Sequence, residues 1–348
     1  LSENLHVAAQ YLRPGNGGIA EVARVTVKAL AGHGQVDAHA CMEPAPYEIG
    51  AARAAGYGGS RLRFQWGLER ASLSGGRFLY DFAGTARAAR LTYPRRPYAV
   101  WAHGIEVWDE VRADRRAALA GADLVLVNSA YTRERADPTL GRLRDVRICR
   151  LGAFSDEVAP PVVRAGPPTV LLLGRVEPGW PKGQGVLVEL WPRVVSAVPE
   201  ARLLLVGKGP ALEALRDLAR ASPATANIDV AGFVPQAEIE QVWARAHVFA
   251  MPSLTEGFGL VFIEAMRRGL PVIASRADAG SEVNVDGVTG YNVDRRKDGE
   301  LADALVSLLR DASLRDRLGA AGAARFRSEF SFSAFKRRLK GALGDFVG

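Results

Sequence analysis

Short apolar runs alternating with longer amphipathic stretches constrain this chain more than any other feature. The runs recur at residues 5–9, 36–40, 99–103, 124–128, 169–173, 202–206, 228–231, 248–251 and 271–274. Helical patterns fall between them at 19–31, 185–197, 211–221, 236–244 and 259–268. Short strands separated by helices of about 10–15 residues predict βαβ units around parallel sheets, because a parallel return needs a crossover helix. The rhythm is clearest between Thr169 and Ala274, and the tail from Ala302 to Phe346 reads as two or three further helices. The expected fold class is therefore α/β.

Residues 155–168 read S-D-E-V-A-P-P-V-V-R-A-G-P-P. Two Pro-Pro pairs and a Gly can continue neither a helix nor a central strand, so the linker between two domains is placed here. A length of 348 residues suits two domains of ordinary size. With 48% apolar and 24% charged residues, the chain is neither collagen, coiled coil, largely disordered nor a disulfide-stapled miniature. No apolar stretch is long enough to span a bilayer. Cys41 and Cys149 have no metal-ligand spacing, so no metal site or disulfide is expected. The first ten residues lack the basic start and apolar stretch of a secretory leader, although the chain begins with Leu rather than Met. A cytoplasmic location is expected, extending to the inner face of the cytoplasmic membrane.

Three features of the second half point to a phosphorylated ligand. The strand pattern 169–173 runs into Gly174-Arg175 and then Pro178-Gly179-Trp180-Pro181-Lys182-Gly183. An Arg fork and a Lys point charge beyond the C-terminal end of a parallel strand suit a diphosphate. Two solvated cations on a loop would look the same. The second feature is Glu256-Gly257-Phe258-Gly259-Leu260-Val261-Phe262-Ile263-Glu264, where a strand ends and a helix starts near Phe258 or Gly259. First-turn N–H groups of such a helix favour an anion. Glu256 in the loop and Glu264 inside the helix would then take different sets of sugar hydroxyls; taken singly, each also reads as a capping or solvated carboxylate. The third feature is a pair of glycine turns at strand ends, Gly207-Lys208-Gly209 and Gly232-Phe233, placed to line a nucleoside pocket, although ordinary βα turns look alike. Neither forms GxGxxG, which makes a dinucleotide oxidoreductase a poor reading.

With these motifs the sequence resembles the family 4 retaining glycosyltransferases of the GT-B fold. E-G-F-G-L-V-F-I-E-A-M (256–266) and G-R…K-G (174–183) carry the resemblance, supported by G-L-P-V-I-A-S (269–275), E-V-N-V-D-G-V-T-G-Y-N-V (282–293) and the glycine-rich G-N-G-G-I-A-E-V-A (15–23). The resemblance implies two Rossmann-like domains with parallel sheets facing across a cleft: an acceptor-side domain at 1–155, completed by a C-terminal helix at 331–348, and a nucleotide-sugar domain at 156–330. It gives Arg175 and Lys182 to the donor diphosphate, Glu264 to the ribose and Glu256 to the transferred sugar. Phe258, Gly259 and Leu260 would lie close to sugar and phosphate, with Gly207 and Phe233 at the nucleoside. Gly17 and Gly18 would let the first domain's loop approach the diphosphate, and His103 would face the donor sugar.

The reaction implied moves a hexose from a GDP- or UDP-linked sugar to a hydroxyl of a glycan or lipid-linked acceptor in bacterial polysaccharide or glycoconjugate synthesis. The anomeric configuration is retained, and the leaving phosphate itself takes the acceptor proton. No metal and no cofactor beyond the donor substrate are expected, since the Arg–Lys clamp replaces a DxD-held metal. An inactive GT-B homologue that binds a glycan or a partner is the alternative.

The net charge of +7 is local. Residues 50–97 contain nine arginines (Arg53, Arg61, Arg63, Arg70, Arg77, Arg87, Arg90, Arg95 and Arg96) against Glu69 and Asp81 only. No helix-turn-helix, zinc-finger or RRM signature accompanies them, so nucleic acid is not an expected partner. Aromatics interleave the arginines, and a helix is expected over 77–90 with Phe78, Leu79, Phe82, Ala86 and Ala89 as its apolar stripe. The segment then reads either as a solvated face over a core stripe or as a first-domain surface for an anionic bilayer or a lipid-phosphate-linked acceptor.

Overall fold

The computed structural model describes residues 4–31, 36–108, 111–140, 143, 145–159, 166–297 and 299–347. The Pro160-Pro161 part of the expected linker lies outside them. The chain divides into two compact units, Leu1–Asp156 with Phe330–Gly348, and Glu157–Glu329.

The first unit is built on an eight-stranded sheet in the order β3-β4-β2-β1-β5-β6-β7-β8. Its strands are β1 (Leu5–Ala9), β2 (Val36–Ala40), β3 (Tyr47–Ile49), β4 (Ala52–Gly56), β5 (Arg77–Tyr80), β6 (Tyr98–Ala102), β7 (Leu124–Val127) and β8 (Val146–Ile148). All pairs are parallel except the hairpin β3–β4. The helix Gly18–Ala31 buries Val22, Val25 and Ala29 and packs beside the C-terminal helix Phe332–Leu343. Ser331 caps the latter by accepting from Ala334 N. The helix Arg61–Leu73 starts at Ser60, whose side chain accepts from Arg63 N. It packs Phe64, Leu68 and Ala71 into a core with Ala8, Phe78, Tyr80, Tyr98 and Val100.

The expectation of a helix over 77–90 is corrected. Arg77–Tyr80 is a strand between β1 and β6, in register Leu5↔Arg77 and Phe78↔Tyr98, and only Ala83–Ala86 and Arg87–Arg90 turn helically. A short apolar run such as residues 78–80, buried on both sides, looks the same in a helix and in a central strand, and here the two neighbouring strands decide. Just before it, Gly75 and Gly76, with φ of 90° and 88°, turn the chain from the helix Arg61–Leu73 into β5.

The second unit holds a six-stranded, wholly parallel sheet, β11-β10-β9-β12-β13-β14. Its strands are β9 (Thr169–Leu173), β10 (Arg202–Val206), β11 (Ile228–Gly232), β12 (Val248–Met251), β13 (Val272–Ser275) and β14 (Gly290–Val293). Helices Gln184–Ala197, Leu212–Ala221, Leu260–Arg267, Glu300–Arg310 and Ala312–Arg325 belong to it, and Trp191, Trp243, Phe249 and Phe262 are fully buried. β9 comes first in the chain, β10 and β11 add on one side, and β12 to β14 add on the other. The chain therefore reverses direction across the sheet between β9 and β12, which is where open α/β sheets open a crevice at their strand ends. Among the described residues no helix is long and apolar enough to cross a membrane.

Candidate functional site

In the second unit the two strongest motifs meet at this crevice. Arg175 and Lys182 lie on the loop after β9, and Glu256 lies on the loop after β12. Lys182 Nζ donates to Glu256 Oε2 at 2.6 Å, both side chains being mostly buried. Arg175 is exposed and pairs with Glu177. Leu254 N donates to Pro181 O at 3.0 Å and so ties the two loops together, while Gln184 Nε2 braces the loop after β9 by donating to Arg175 O at 3.0 Å. Arg295 Nη1 reaches Trp180 O at 3.4 Å and Pro252 O at 3.3 Å, bridging both loops.

The Glu256 loop is held by Asp278, on the loop after β13. Asp278 Oδ2 accepts from Ser253 Oγ at 2.5 Å and Glu256 N at 3.1 Å, and its Oδ1 accepts from Gly280 N at 2.9 Å. Burial pushes its carboxyl up to about 6, in spite of these donors. Ala279 N returns a bond to Glu256 O at 3.1 Å. Sequence reasoning passed over Asp278 and Arg295, which have no motif of their own and stand 22 and 39 positions beyond Glu256 in the sequence. Their signal is three-dimensional.

The helix that carries Glu264 begins at Leu260, two residues after the earliest expected start at Phe258. Gly259 forms its N-cap with φ of 89°, and a Cβ there would lie 2.3 Å from the Phe262 ring, so glycine is required. Glu264 sits half-buried in the second turn. Phe258 is buried, and its N–H lies 3.5 Å from Glu256 Oε1. At the neighbouring strand ends, Gly207 follows β10 and Phe233 follows β11. A Cβ on Gly207 would lie 1.8 Å from Gly174 O, so this glycine lets the β9 and β10 ends close together. Phe233 is 61% exposed, with Lys208 Nζ 4.9 Å from its ring centroid. Arg175, Lys182, Glu256, Phe258, Gly259, Leu260, Glu264, Gly207 and Phe233 thus all belong to the C-terminal edge of one sheet or the first turns after it.

Gly17, Gly18 and His103 belong to the first unit. Gly17, with φ of 90°, precedes the helix that starts at Gly18, and nothing lies within 4 Å of a Cβ placed on it. His103 follows β6. Its Nε2 lies 2.7 Å from Asp81 O, which can only accept, so Nε2 carries the proton and Nδ1 is left as an acceptor. Burial lowers its pKa, which keeps the ring neutral. Asn128 Nδ2 donates to His103 O at 2.7 Å, and the ring stacks on Trp101. Asp81, at the end of β5, was visible in the sequence only as a charge among arginines. It is 2% exposed, accepts from Gln10 N at 2.8 Å, and burial raises its carboxyl to about 7. It therefore adds little to offset the arginines around it.

Known proteins agree with this architecture. The model of the family described as Glycosyl transferases group 1 matches residues 155–325. A curated relative from Mycobacterium tuberculosis, "GDP-mannose-dependent alpha-(1-6)-phosphatidylinositol monomannoside mannosyltransferase", is 36% identical over 241 residues, covering 63% of this chain and 62% of the relative. The "Phosphatidyl-myo-inositol mannosyltransferase" of Mycobacterium leprae is 41% identical over 157 residues, covering 44% of this chain and 41% of its own. The chain thus spans about three fifths of the length of the first of these relatives. Among solved structures, sucrose-phosphate synthase from Thermosynechococcus elongatus superposes with a TM-score of 0.79 at 21% identity, over 97% of this chain and 98% of that one. HepE of Anabaena, solved with UDP and glucose, gives a TM-score of 0.77 at 18% identity over 99% and 100%. Residues 155–325 thus match the group 1 glycosyl transferases, and the chain has the GT-B fold.

Proposed function

We propose that this protein is a retaining, metal-independent glycosyltransferase that moves mannose from GDP-mannose to a hydroxyl of a lipid-linked acceptor. The observation that carries the reading is the 2.6 Å Lys182–Glu256 pair at the point where the sheet of the second unit reverses direction. A cation and a carboxylate fixed side by side match the two halves of a nucleoside diphosphate sugar. The diphosphate competes with Glu256 for Lys182, and sugar hydroxyls donate to the Glu256 oxygens so released. Arg175, on the same loop, adds a second cation to the diphosphate.

As the glycosidic bond stretches, negative charge gathers on the leaving phosphate. Lys182, Arg175 and the first-turn N–H groups at Leu260 are already oriented, so they stabilise that charge more in the transition state than in the ground state. Glu264 takes the ribose hydroxyls and Phe233 offers its exposed face to the base. In the first unit, neutral His103 presents Nδ1 as an acceptor for a sugar hydroxyl, and Gly17 and Gly18 keep the loop after β1 free of side chains. Two cations in place of a metal predict transfer that persists in EDTA. GDP-mannose and a phosphoinositide-type acceptor come from the names of the mycobacterial relatives, as does the lipid-linked class.

The same reading includes peripheral membrane association. Leu62, Trp66, Leu73, Leu91 and Tyr93 are 80%, 75%, 71%, 71% and 81% exposed, among Arg61, Arg63, Arg90 and Arg95. Apolar anchors ringed by cations suit an anionic bilayer.

The donor is tested by calorimetric titration of GDP-mannose, UDP-glucose and ADP-glucose. GDP-mannose should bind most tightly, by about tenfold or more. Equal binding of all three, or of none, contradicts the donor assignment.

A further inference from the structure

The loop after β1 leads to Gly17, and its tip is open. Gly15 and Gly17 have φ of 84° and 90°, and a Cβ on either would meet nothing within 4 Å. A backbone this bare holds one place beside a substrate only if it is anchored elsewhere. Two buried carboxylates from other strand ends supply the anchors. Asp81, after β5, accepts from Gln10 N at 2.8 Å. Glu43, in the loop after β2, is 3% exposed, and its Oε1 accepts from Leu12 N at 3.1 Å and from Arg13 N at 3.0 Å. Its Oε2 pairs with Arg13 Nε at 3.1 Å. Asn16 Nδ2 then donates to Arg13 O at 3.1 Å, so the glycine turn folds back onto the residue that Glu43 holds.

Glu43 is itself fixed in place. Met42 N donates to Gln10 O at 3.0 Å, Gly59 N to Cys41 O at 2.8 Å and Gly58 N to Glu43 O at 2.6 Å. A Cβ on Gly56 would lie 2.7 Å from Glu43 O, so the end of β4 closes tightly on this loop. A buried carboxylate is costly unless several donors reach it, and an apolar side chain would fill the same space more cheaply. What only an acceptor can do is collect two successive main-chain N–H groups on one oxygen. That sets the direction of the backbone at Leu12 and Arg13, and with it the course of the chain through Gly15, Asn16 and Gly17.

We propose that Glu43 is a positioning residue for glycosyl transfer, which fixes the glycine-rich loop after β1 through Leu12 N and Arg13 N. This role depends on the part that Gly17 and Gly18 play in the proposed transfer.

The test compares Glu43→Ala, Glu43→Gln and Gly17→Ala with wild type in kcat for mannosyl transfer, in calorimetric Kd for GDP-mannose and in amide hydrogen exchange over residues 10–17. Glu43→Ala should exchange about tenfold faster over 10–17 alone, because its bonds to Leu12 N and Arg13 N are gone. It should lose about tenfold or more in kcat and keep Kd within about twofold, since the proposed donor residues that bind most strongly lie in the second unit. Glu43→Gln keeps an oxygen for both N–H groups and should stay within about threefold of wild type in exchange and in kcat. Gly17→Ala strains the loop tip directly, so it should lose kcat in the same way, and the double variant with Glu43→Ala should lose less than the product of the two. Should Glu43→Ala fail to fold, Glu43→Asp draws the carboxylate back by one methylene and is expected to lose about fivefold in kcat.

Unchanged kcat in the Ala or Asp variant, faster exchange throughout the first unit, or Glu43→Gln as impaired as Glu43→Ala would overturn the proposal. Loss of kcat in Gly17→Ala without loss in Glu43→Ala would overturn the role of Glu43 and leave that of the loop; loss in neither would overturn both. The exchange measurement needs no substrate. A wrong donor assignment therefore shows as absent GDP-mannose binding in wild type, while the exchange over 10–17 still decides whether Glu43 holds the loop.

Discussion

At the residue scale, the donor crevice depends on groups whose importance is not chemical. Gly207 is the clearest case, since any side chain there meets the Gly174 carbonyl at 1.8 Å. Gly207→Ala must spread β9 from β10, and it is expected to cost about 2–4 kcal/mol. That corresponds to a fall in melting temperature on the order of 10 °C, measurable by calorimetry. Asp278 is the second case. Its two oxygens receive Ser253 Oγ, Glu256 N and Gly280 N, and an asparagine has only one oxygen to offer. Asp278→Asn should therefore lower kcat/KM about tenfold or more through a displaced Glu256, while the isolated fold survives. Steady-state kinetics with a melting curve separates the two effects. The candidate donor residues were legible because they cluster in two short motifs, each just past a strand. Asp278 and Arg295 were not, because their contribution is a set of bonds to backbone atoms of distant loops.

At the scale of elements, the strands of the second unit could be read almost residue by residue. β9, β10 and β12 have the bounds that the apolar runs suggest, because strands buried on both faces are continuous in Val, Leu and Ile. The first unit was less legible. β3, β4, β8 and, in the second unit, β14 are short or rich in Ala, Gly and polar residues, and no apolar run announces them. β5 was mistaken for a helix, and with it Asp81 lost its place at a strand end. That place has a consequence for pH dependence. The Asp81 carboxyl is raised to about 7 in the folded protein from an ordinary 3.8. The folded state thus binds this proton more tightly than the unfolded chain. Its stabilising contribution is complete below about pH 4 and is lost as pH rises through 7. The slope it adds is at most about 1.4 kcal/mol per pH unit. Urea unfolding of wild type and Asp81→Asn across pH 4–8 should show a flatter profile in the variant; parallel profiles would contradict the assignment.

At the scale of the whole molecule, the net charge of +7 has a location and a companion. The arginines of 50–97 share their segment with exposed Leu62, Trp66, Leu73, Leu91 and Tyr93, and Asp81 is too deeply buried to offset them. Binding to anionic vesicles should fall with salt and by about tenfold in Leu62→Ser with Leu73→Ser. Co-sedimentation indifferent to both would return these residues to the status of a solvated face. The central claim, however, concerns the second unit: that Lys182 and Glu256 hold a nucleoside diphosphate sugar for transfer. The most direct measurement is kcat/KM for mannosyl transfer from GDP-mannose to a phosphoinositide acceptor in wild type, Lys182→Ala and Glu256→Ala. A loss of about 10²–10³ in each variant, with melting temperatures close to wild type, is the expected result. Near wild-type kcat/KM in both folded variants would contradict the account.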